Sequence, residues 1–460
     1  MRPHRLDQVL VSLSAWIRGQ PWMRMLARRL PAAWRGQAAQ RLHAATVERL
    51  RFADSAAWPS PALAAAPLPV RPPATDGGIN LVGYLRGEFG LAEAARRYAG
   101  ALVTEGYDVA LRSVELALPH GWDDRSLESW ISDQMPHAHT LLFVNPDYLP
   151  QVAGQLSLRR DAGHRVYACW FWELEVVPAH WQDAIDSVDG ILVASRFVEK
   201  AIRARTDKPV LRVPLPLPTA PAPLAMGRAD FGLEEGKFYF LSMFDFHSAI
   251  ERKNPFAVIA AFRAAFPAHR DDVRLLIKTS NADAAPEPLA RLIAAVGGDR
   301  RIIVRDQHLH RRHLRALQAC CDAYVSLHRA EGFGLVMAEA MALGKPVIAT
   351  AWSGNMDFMD RDNSLLIDYQ LVPVPEGAYP DAQDARWADP SVEAAAAAMA
   401  SLANDLAKAR MLGERARLSV LEQLSARRAA AQIHDWIVHP ADAVQAHPPS
   451  APYDHQASHP

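Results

Sequence analysis

EGFGLVMAEAMALG, running from Glu331 to Gly344, is the stretch that decides the fold. Ahead of it, Ala323 to Leu327 (AYVSL) has the length and composition of a buried strand, and Val347 to Thr350 (VIAT) behind it has the same. Strand, helix and strand at this spacing make a βαβ unit. Gly332 and Gly334 stand where the strand turns into the helix, a place where the backbone needs unusual angles or lets a ligand come close. Leu335, Ala338, Ala342 and Leu343 bury one helical face, and Gly344 with Pro346 stops the helix. Its N-terminus offers free N–H groups and the positive end of the dipole, which favour a phosphate. Two carboxylates frame that spot, Glu331 before the glycines and Glu339 in the second turn. The plain alternative is a solvated helix with two surface glutamates.

Two glutamates eight positions apart, with Gly-Phe-Gly-Leu after the first and Ala-Met-Ala-Leu-Gly-Lys-Pro-Val after the second, resemble the signature of glycosyltransferase family 4. The resemblance implies an α/β GT-B fold, two Rossmann-like domains facing across a cleft, and a reaction that retains anomeric configuration. A hexosyl group, with mannosyl among the candidates, would pass from a nucleoside diphosphate sugar to a saccharide or lipid-linked acceptor. No cofactor beyond that co-substrate, and no metal, is implied. Glu331 would contact hydroxyls of the donor sugar, Glu339 the ribose, and the backbone of Gly332, Phe333, Gly334 and Leu335 the distal phosphate. Carboxylates suit vicinal hydroxyls because charge-assisted hydrogen bonds are the stronger kind. A sugar-nucleotide epimerase or hydrolase of the same fold, and a non-catalytic sugar-nucleotide-binding partner subunit, are the alternatives. Base exchange or free sugar without acceptor would mark the former, and donor binding without turnover the latter.

With 460 residues the chain has room for two or three domains. A formal net charge of -1 gives no global field for a nucleic acid partner. Cys169, Cys320 and Cys321 are too few for a disulfide framework or a zinc site, which points to a reducing cytoplasm. No run of 18 or more apolar residues is present to span a membrane, so the expectation is a soluble or peripheral protein on the inner face of the cell membrane.

Residues 1–51 hold ten arginines against Asp7 and Glu48. Apolar residues recur there at helical spacing, which suits a pair of helices on an anionic membrane surface. It suits equally a helical extension packed on the protein's own body. Residues 1–76 therefore read as a basic extension and Pro-rich linker, 77–222 as the acceptor domain and 223–425 as the donor domain. Residues 426–440 read as a helix returning to the first domain, and 441–460 as a disordered tail.

Ile79 to Tyr84 is the first strand, and Gly87 to Leu91 the loop entering the first helix; by resemblance Gly90 and its neighbours face the donor phosphates. The dinucleotide fingerprint is absent. Cys169-Trp170-Phe171-Trp172-Glu173 ends another strand, where a doubly wound sheet puts its ligands. Glu173 is the candidate acceptor-side base or hydroxyl anchor, or a helix N-terminal carboxylate beside core tryptophans. Many family members carry a histidine near here. In the second domain Phe238 to Phe244 is a strand and Pro255 to Phe266 a helix, with Arg252 and Lys253 between them as an anion site. Lys253 matches the family's phosphate lysine. The upstream arginine usual in the family is replaced by Asp245-Phe246-His247, so whether Arg252 makes the second phosphate contact stays open. Arg305 and Lys278, at strand ends near the expected nucleotide base, complete the candidates. Asp360-Arg361-Asp362 sits in a turn and is read as structural. Residues 371–390 read as a long Pro-containing loop, and Ser391 to Leu424 as helical.

Overall fold

Apolar runs of three to eight residues, most of them followed by a helix, build two parallel six-stranded sheets. The computed structural model describes residues 32–53, 57–59, 77–161, 163–217 and 224–438. These fall into two units: one holds the described parts of 77–171, 177–217 and 424–438, the other the described parts of 32–59, 172–176 and 224–423.

The first unit's strands are β1 (Ile79–Gly83), β2 (Val109–Ser113), β3 (His139–Phe143), β4 (Arg165–Trp170), β5 (Gly190–Val193) and β6 (Val210–Arg212), in spatial order β2-β1-β3-β4-β5-β6. Their fully buried faces explain the near-continuous apolar runs. The order reverses between β1 and β3, so the loop after β1 lies at a topological switch point. Arg96, buried on the Gly90–Thr104 helix, pins that loop by donating to the carbonyls of Gly87 (2.5 Å) and Leu85 (3.1 Å). The last helix, Ala426–Val438, packs on the Gly90–Thr104 helix in this unit. Gly190 makes room for it, since a Cβ there would lie 2.9 Å from the Trp436 ring.

The second unit's main sheet comprises β7 (Phe238–Asp245), β8 (Val273–Ser280), β9 (Ile302–Asp306), β10 (Ala323–Ser326), β11 (Val347–Thr350) and β12 (Leu365–Ile367), in order β12-β11-β10-β7-β8-β9. β10 and β11 pair in parallel with Val325 opposite Ile348, so the βαβ reading of the opening stretch holds. Phe240, Phe262 and Phe266 fill the core between sheet and helices. Val47 and Leu50 of the Ala32–Leu50 helix join that same core, and the helix rests on β9. For residues 32–51, packing on the protein's own body is therefore the answer; residues 1–31 lie outside the described residues, as does the 441–460 tail.

Two elements differ from expectation. Residues 371–390 keep a loop at 374–385, but its flanks are strands, β13 (Tyr369–Pro373) pairing antiparallel with β14 (Arg386–Pro390). Pro373 and Pro390 sit at strand ends, where the missing N–H costs no ladder bond, and this is why prolines masked the strands in the sequence. The stretch after Ser391 is two helices, Val392–Asn404 and Leu406–Gln423, broken at Asp405. The Asp405 carboxylate accepts from the Lys408 N–H at 2.9 Å, an N-cap that a uniform Ala-rich reading overlooks. No helix among the described residues is long and apolar enough to cross a membrane.

Candidate functional site

β7 leads into a one-turn helix, Ile250–Lys253, which ends at Asn254 in the left-handed conformation with φ of 51°. Asparagine tolerates that conformation because its short amide bonds locally. Here it donates to the Leu327 carbonyl at 3.0 Å and accepts from the Ala257 N–H at 3.3 Å, which ends one helix and caps the next. Arg252 and Lys253 are thereby held beside the loop after β10. The Arg252 guanidinium donates to the Ala330 carbonyl at 2.9 Å, and its own carbonyl accepts from the Arg329 N–H at 2.8 Å.

Lys253 Nζ lies 2.5 Å from Glu331 Oε1, and Arg252 Nη1 lies 3.3 Å from Glu331 Oε2. Arg252 Nη2 is 3.7 Å from Glu173 Oε1. Two cations thus face two carboxylates, with Arg252 and Glu331 only 5% and 13% exposed. Burial pushes the Glu331 carboxyl up, but Lys253 and Arg252 outweigh it and hold the group at about 2. Burial also opposes charge on Arg252, yet Glu331 and Glu173 carry the guanidinium above its usual range. For Lys253 burial dominates and draws the ammonium down, against the raising influence of Glu331. Arg252 Nε is buried and has no acceptor among the described residues, an unmet donor in a site otherwise matched charge for charge.

The glycine loop rests on a second loop that sequence reasoning passed over. Glu331 N–H donates to Ser353 Oγ at 2.8 Å, and Gly354 N–H donates to the Glu331 carbonyl at 2.9 Å. Gly354 lies so close that a Cβ on it would meet the Gly332 oxygen at 2.3 Å. Gly334, with φ of 92°, caps the Leu335–Ala342 helix. Below them is His328, fully buried, whose Nδ1 is 3.0 Å from Ser326 Oγ and Nε2 3.1 Å from Asn355 Oδ1. Burial lowers its pKa and so favours the neutral ring. Asn355 in turn donates to the Thr350 carbonyl at 3.0 Å. Ser353-Gly354-Asn355 carries a legible small-polar signature after a strand, and its close approach to a glycine loop could have been inferred from that.

Residues 240–373 match the family described as glycosyl transferases group 1. Over those residues the chain is similar to group 1 glycosyl transferases. The matched residues include Arg252, Lys253, Lys278, Arg305 and the Glu331–Glu339 stretch. D-inositol 3-phosphate glycosyltransferase of Arthrobacter sp. (strain FB24) is 30% identical over 151 residues, 32% of this chain and 35% of that protein. The chain thus spans about a third of that curated relative's length. Sucrose-phosphate synthase from Thermosynechococcus elongatus superposes with a TM-score of 0.58 at 18% identity, covering 80% of this chain and 99% of the other. Anabaena HepE, solved in complex with UDP and glucose, superposes with a TM-score of 0.57 at 12% identity over 80% of this chain and all of its own. The fold is the GT-B fold.

Within the second unit the structure brings Arg252, Lys253, Glu331 and Glu173 together, the last because Trp172–Val176 belongs to this unit. Gly332, Gly334 and Leu335 follow directly in the loop and helix start, while the Phe333 ring is buried 5.1 Å from Phe358 and leaves only its backbone for a ligand. Glu339 is half-buried in the second helical turn. Lys278 and Arg305 are a register pair of β8 and β9 apart from that cluster. Burial presses Lys278 down to about 8 despite Asp306 and Asp245 nearby. Arg305 is turned to the N-terminal segment, its guanidinium 5.9 Å over the Phe52 ring, a contact between positions 253 apart that no local pattern foreshadows. Gly90 belongs to the other unit, where it opens its helix. Asp245 accepts from Asn281 and Ser280 and fixes the turn after β7. Asp360 accepts from the N–H groups of Asp362 (2.8 Å) and Asn363 (3.0 Å) as a turn former.

Proposed function

We propose that the protein is a retaining glycosyltransferase that moves a hexosyl group from a nucleoside diphosphate sugar to a hydroxyl of a saccharide or lipid-linked acceptor. The observation that carries this reading is the clasp of Lys253 and Arg252 on Glu331 at the entrance to the Leu335–Ala342 helix. A diphosphate entering there finds two cations and free helical N–H groups, and it competes with Glu331 for the cations. Glu331 is then released toward hydroxyls of the sugar, while Glu339 in the second helical turn takes the ribose. In the reaction the bond between the anomeric carbon and the diphosphate oxygen breaks, with its electron pair going to the phosphate. The acceptor oxygen bonds to the same face and its proton passes to the departing phosphate oxygen, so no protein nucleophile is needed. Lys253, Arg252 and the helix dipole stabilise the charge that grows on the diphosphate, the kind of electrostatic contribution that dominates many enzymes.

UDP-hexoses are the first donors to test, because HepE was solved with UDP and glucose, and GDP-mannose is the second. Glu173 is proposed as an acceptor-side hydroxyl anchor. The arginines within residues 1–31 are proposed to hold the enzyme at an anionic membrane where a lipid-linked acceptor resides. A thermal-shift panel of nucleotide sugars tests the donor site, since a ligand at about 100 times its Kd stabilises by about 2.7 kcal/mol. The expected result is a shift with one nucleotide series that persists in EDTA. Silence across the panel overturns the reading, and a shift abolished by EDTA overturns the metal-free version of it.

A further inference from the structure

A cavity of about 660 Å³ opens beside the cation pair, a size typical of small-ligand sites. Phe246, Pro288, Tyr379 and Pro380 give it apolar walls, and Glu173 and Arg252 supply polar groups. None of Gly332 to Leu335 lines it, so it lies outside the stretch that the resemblance assigns to the phosphate. Tyr379 comes from the β13–β14 hairpin. Its hydroxyl donates to Glu173 Oε2 at 2.7 Å, its ring lies 5.9 Å from the Arg252 guanidinium carbon, and Trp172 backs it at 5.8 Å between centroids.

We propose that Tyr379 is a positioning residue that turns this cavity into a pyranose subsite, its ring a wall for one face of the sugar and its hydroxyl the holder of the Glu173 carboxylate for the sugar's hydroxyls. The inference rests on the transfer reaction proposed above for its source of sugar, but not for its geometry. A pyranose presents an apolar C–H face and a rim of vicinal hydroxyls, which match an aromatic wall beside a carboxylate and a guanidinium. A second phosphate group is a poorer match, because Glu173 and Glu251 both line the cavity. Burial raises the Tyr379 phenol well above its ordinary value, so the hydroxyl stays a donor to Glu173 throughout the neutral range. The sugar could belong to the donor or to the acceptor, and the chemistry of recognition is the same.

The test compares the full-length wild type with Tyr379→Phe, which removes only the O–H, and Tyr379→Ala, which removes wall and anchor. Saturation-transfer NMR with methyl α-D-glucopyranoside and methyl α-D-mannopyranoside needs no nucleotide. A signal in the wild type that is lost in Tyr379→Ala and weakened in Tyr379→Phe supports the subsite; no wild-type signal, or equal signals in all three, overturns it. In separate binding titrations, Tyr379→Ala should change affinity for the free nucleoside diphosphate by less than about twofold. A donor-sugar subsite weakens nucleotide-sugar binding about tenfold, whereas an acceptor subsite raises acceptor KM about tenfold with kcat nearly constant, each worth about 1.4 kcal/mol. A purely structural tyrosine would lower Tm while leaving both ratios at wild-type values, and that outcome overturns the proposal. Absence of any nucleotide binding by the wild type removes the transfer reading alone, because the glycoside signal still decides the subsite.

Discussion

At the scale of single residues, the charge cluster sets which variants are informative. Glu331 and Lys253 share a bond of 2.5 Å, so their substitutions should not add. Glu339→Gln should mostly raise donor KM, because the ribose it is proposed to hold is unchanged by the reaction. Glu331→Gln should lower kcat, about tenfold for each 1.4 kcal/mol of lost transition-state stabilisation. Lys253→Ala should weaken donor binding and slow turnover together. Steady-state kinetics of the two single variants and the double variant should show a coupling of at least about 0.5 kcal/mol. Independent effects would mean that the clasp is absent in the working enzyme. Glu331 also makes stability pH-dependent. Its carboxyl is held at about 2 in the folded chain against an ordinary 4.5, so the folded pKa is depressed. Its contribution is therefore complete above about pH 4.5 and is lost as pH falls toward 2, up to about 3 kcal/mol. Urea denaturation should show a gap between wild type and Glu331→Gln that is constant from pH 7 to 5 and narrows at pH 3.5. A gap that ignores pH would refute the ion-pair assignment. The identities of these residues were legible because spacing marked them; their pairing was not, since the carboxylate and the lysine lie 78 positions apart and only the fold joins them.

At the scale of elements, close backbone approach decides more than side chains do. Gly354 presses on the Gly332 carbonyl, so Gly354→Ala forces a backbone atom to move. The expected outcome is donor affinity reduced at least about tenfold, a loss of about 1.4 kcal/mol, with far-UV dichroism unchanged. Gly227→Ala is the control, at an ordinary φ of -104° with no atom within 4 Å of the added carbon, and should leave donor affinity within about twofold. Equal donor affinity in Gly354→Ala and wild type would show that the second loop does not support the first. Strands β10 and β11 and the helix between them were readable because period, glycine and proline agreed. The β13–β14 hairpin was not, because four prolines between residues 373 and 390 hide the strand signal, although Pro373 and Pro390 stand at strand ends where they are tolerated. Glu173 was readable only as a strand-end carboxylate. Its partners Tyr379 and Arg252 come from elements that no local pattern connects to it.

At the scale of the whole molecule, the N-terminal segment divides at about residue 31 into a part that packs on the second unit and a part proposed to meet lipid. Val47, Leu50 and Phe52 are buried in the second unit, and Phe52 N–H donates to Gln307 Oε1 at 3.1 Å. Trp58 extends the contact, its ring 5.1 Å from Phe231 and 5.2 Å from His313. Full burial of an aliphatic or aromatic side chain is worth about 1.5–3 kcal/mol, so these three residues stabilise this unit by several kcal/mol. Deleting residues 1–59 should therefore lower Tm markedly and weaken nucleotide-sugar binding. Deleting only residues 1–31 leaves those contacts in place and removes six arginines, at positions 2, 5, 18, 24, 28 and 29. If that segment meets anionic lipid, the shorter deletion should abolish co-sedimentation with phosphatidylserine vesicles while leaving Tm and donor affinity at wild-type values. Wild-type co-sedimentation should fall between about 50 and 500 mM salt, because exposed charges are screened beyond a Debye length of about 10 Å at 0.1 M. Equal sedimentation of the two proteins at low salt would refute the membrane role. A donor affinity that survives deletion of residues 1–59 would show instead that the aromatic contact is not needed to hold β9 and its Arg305 in place.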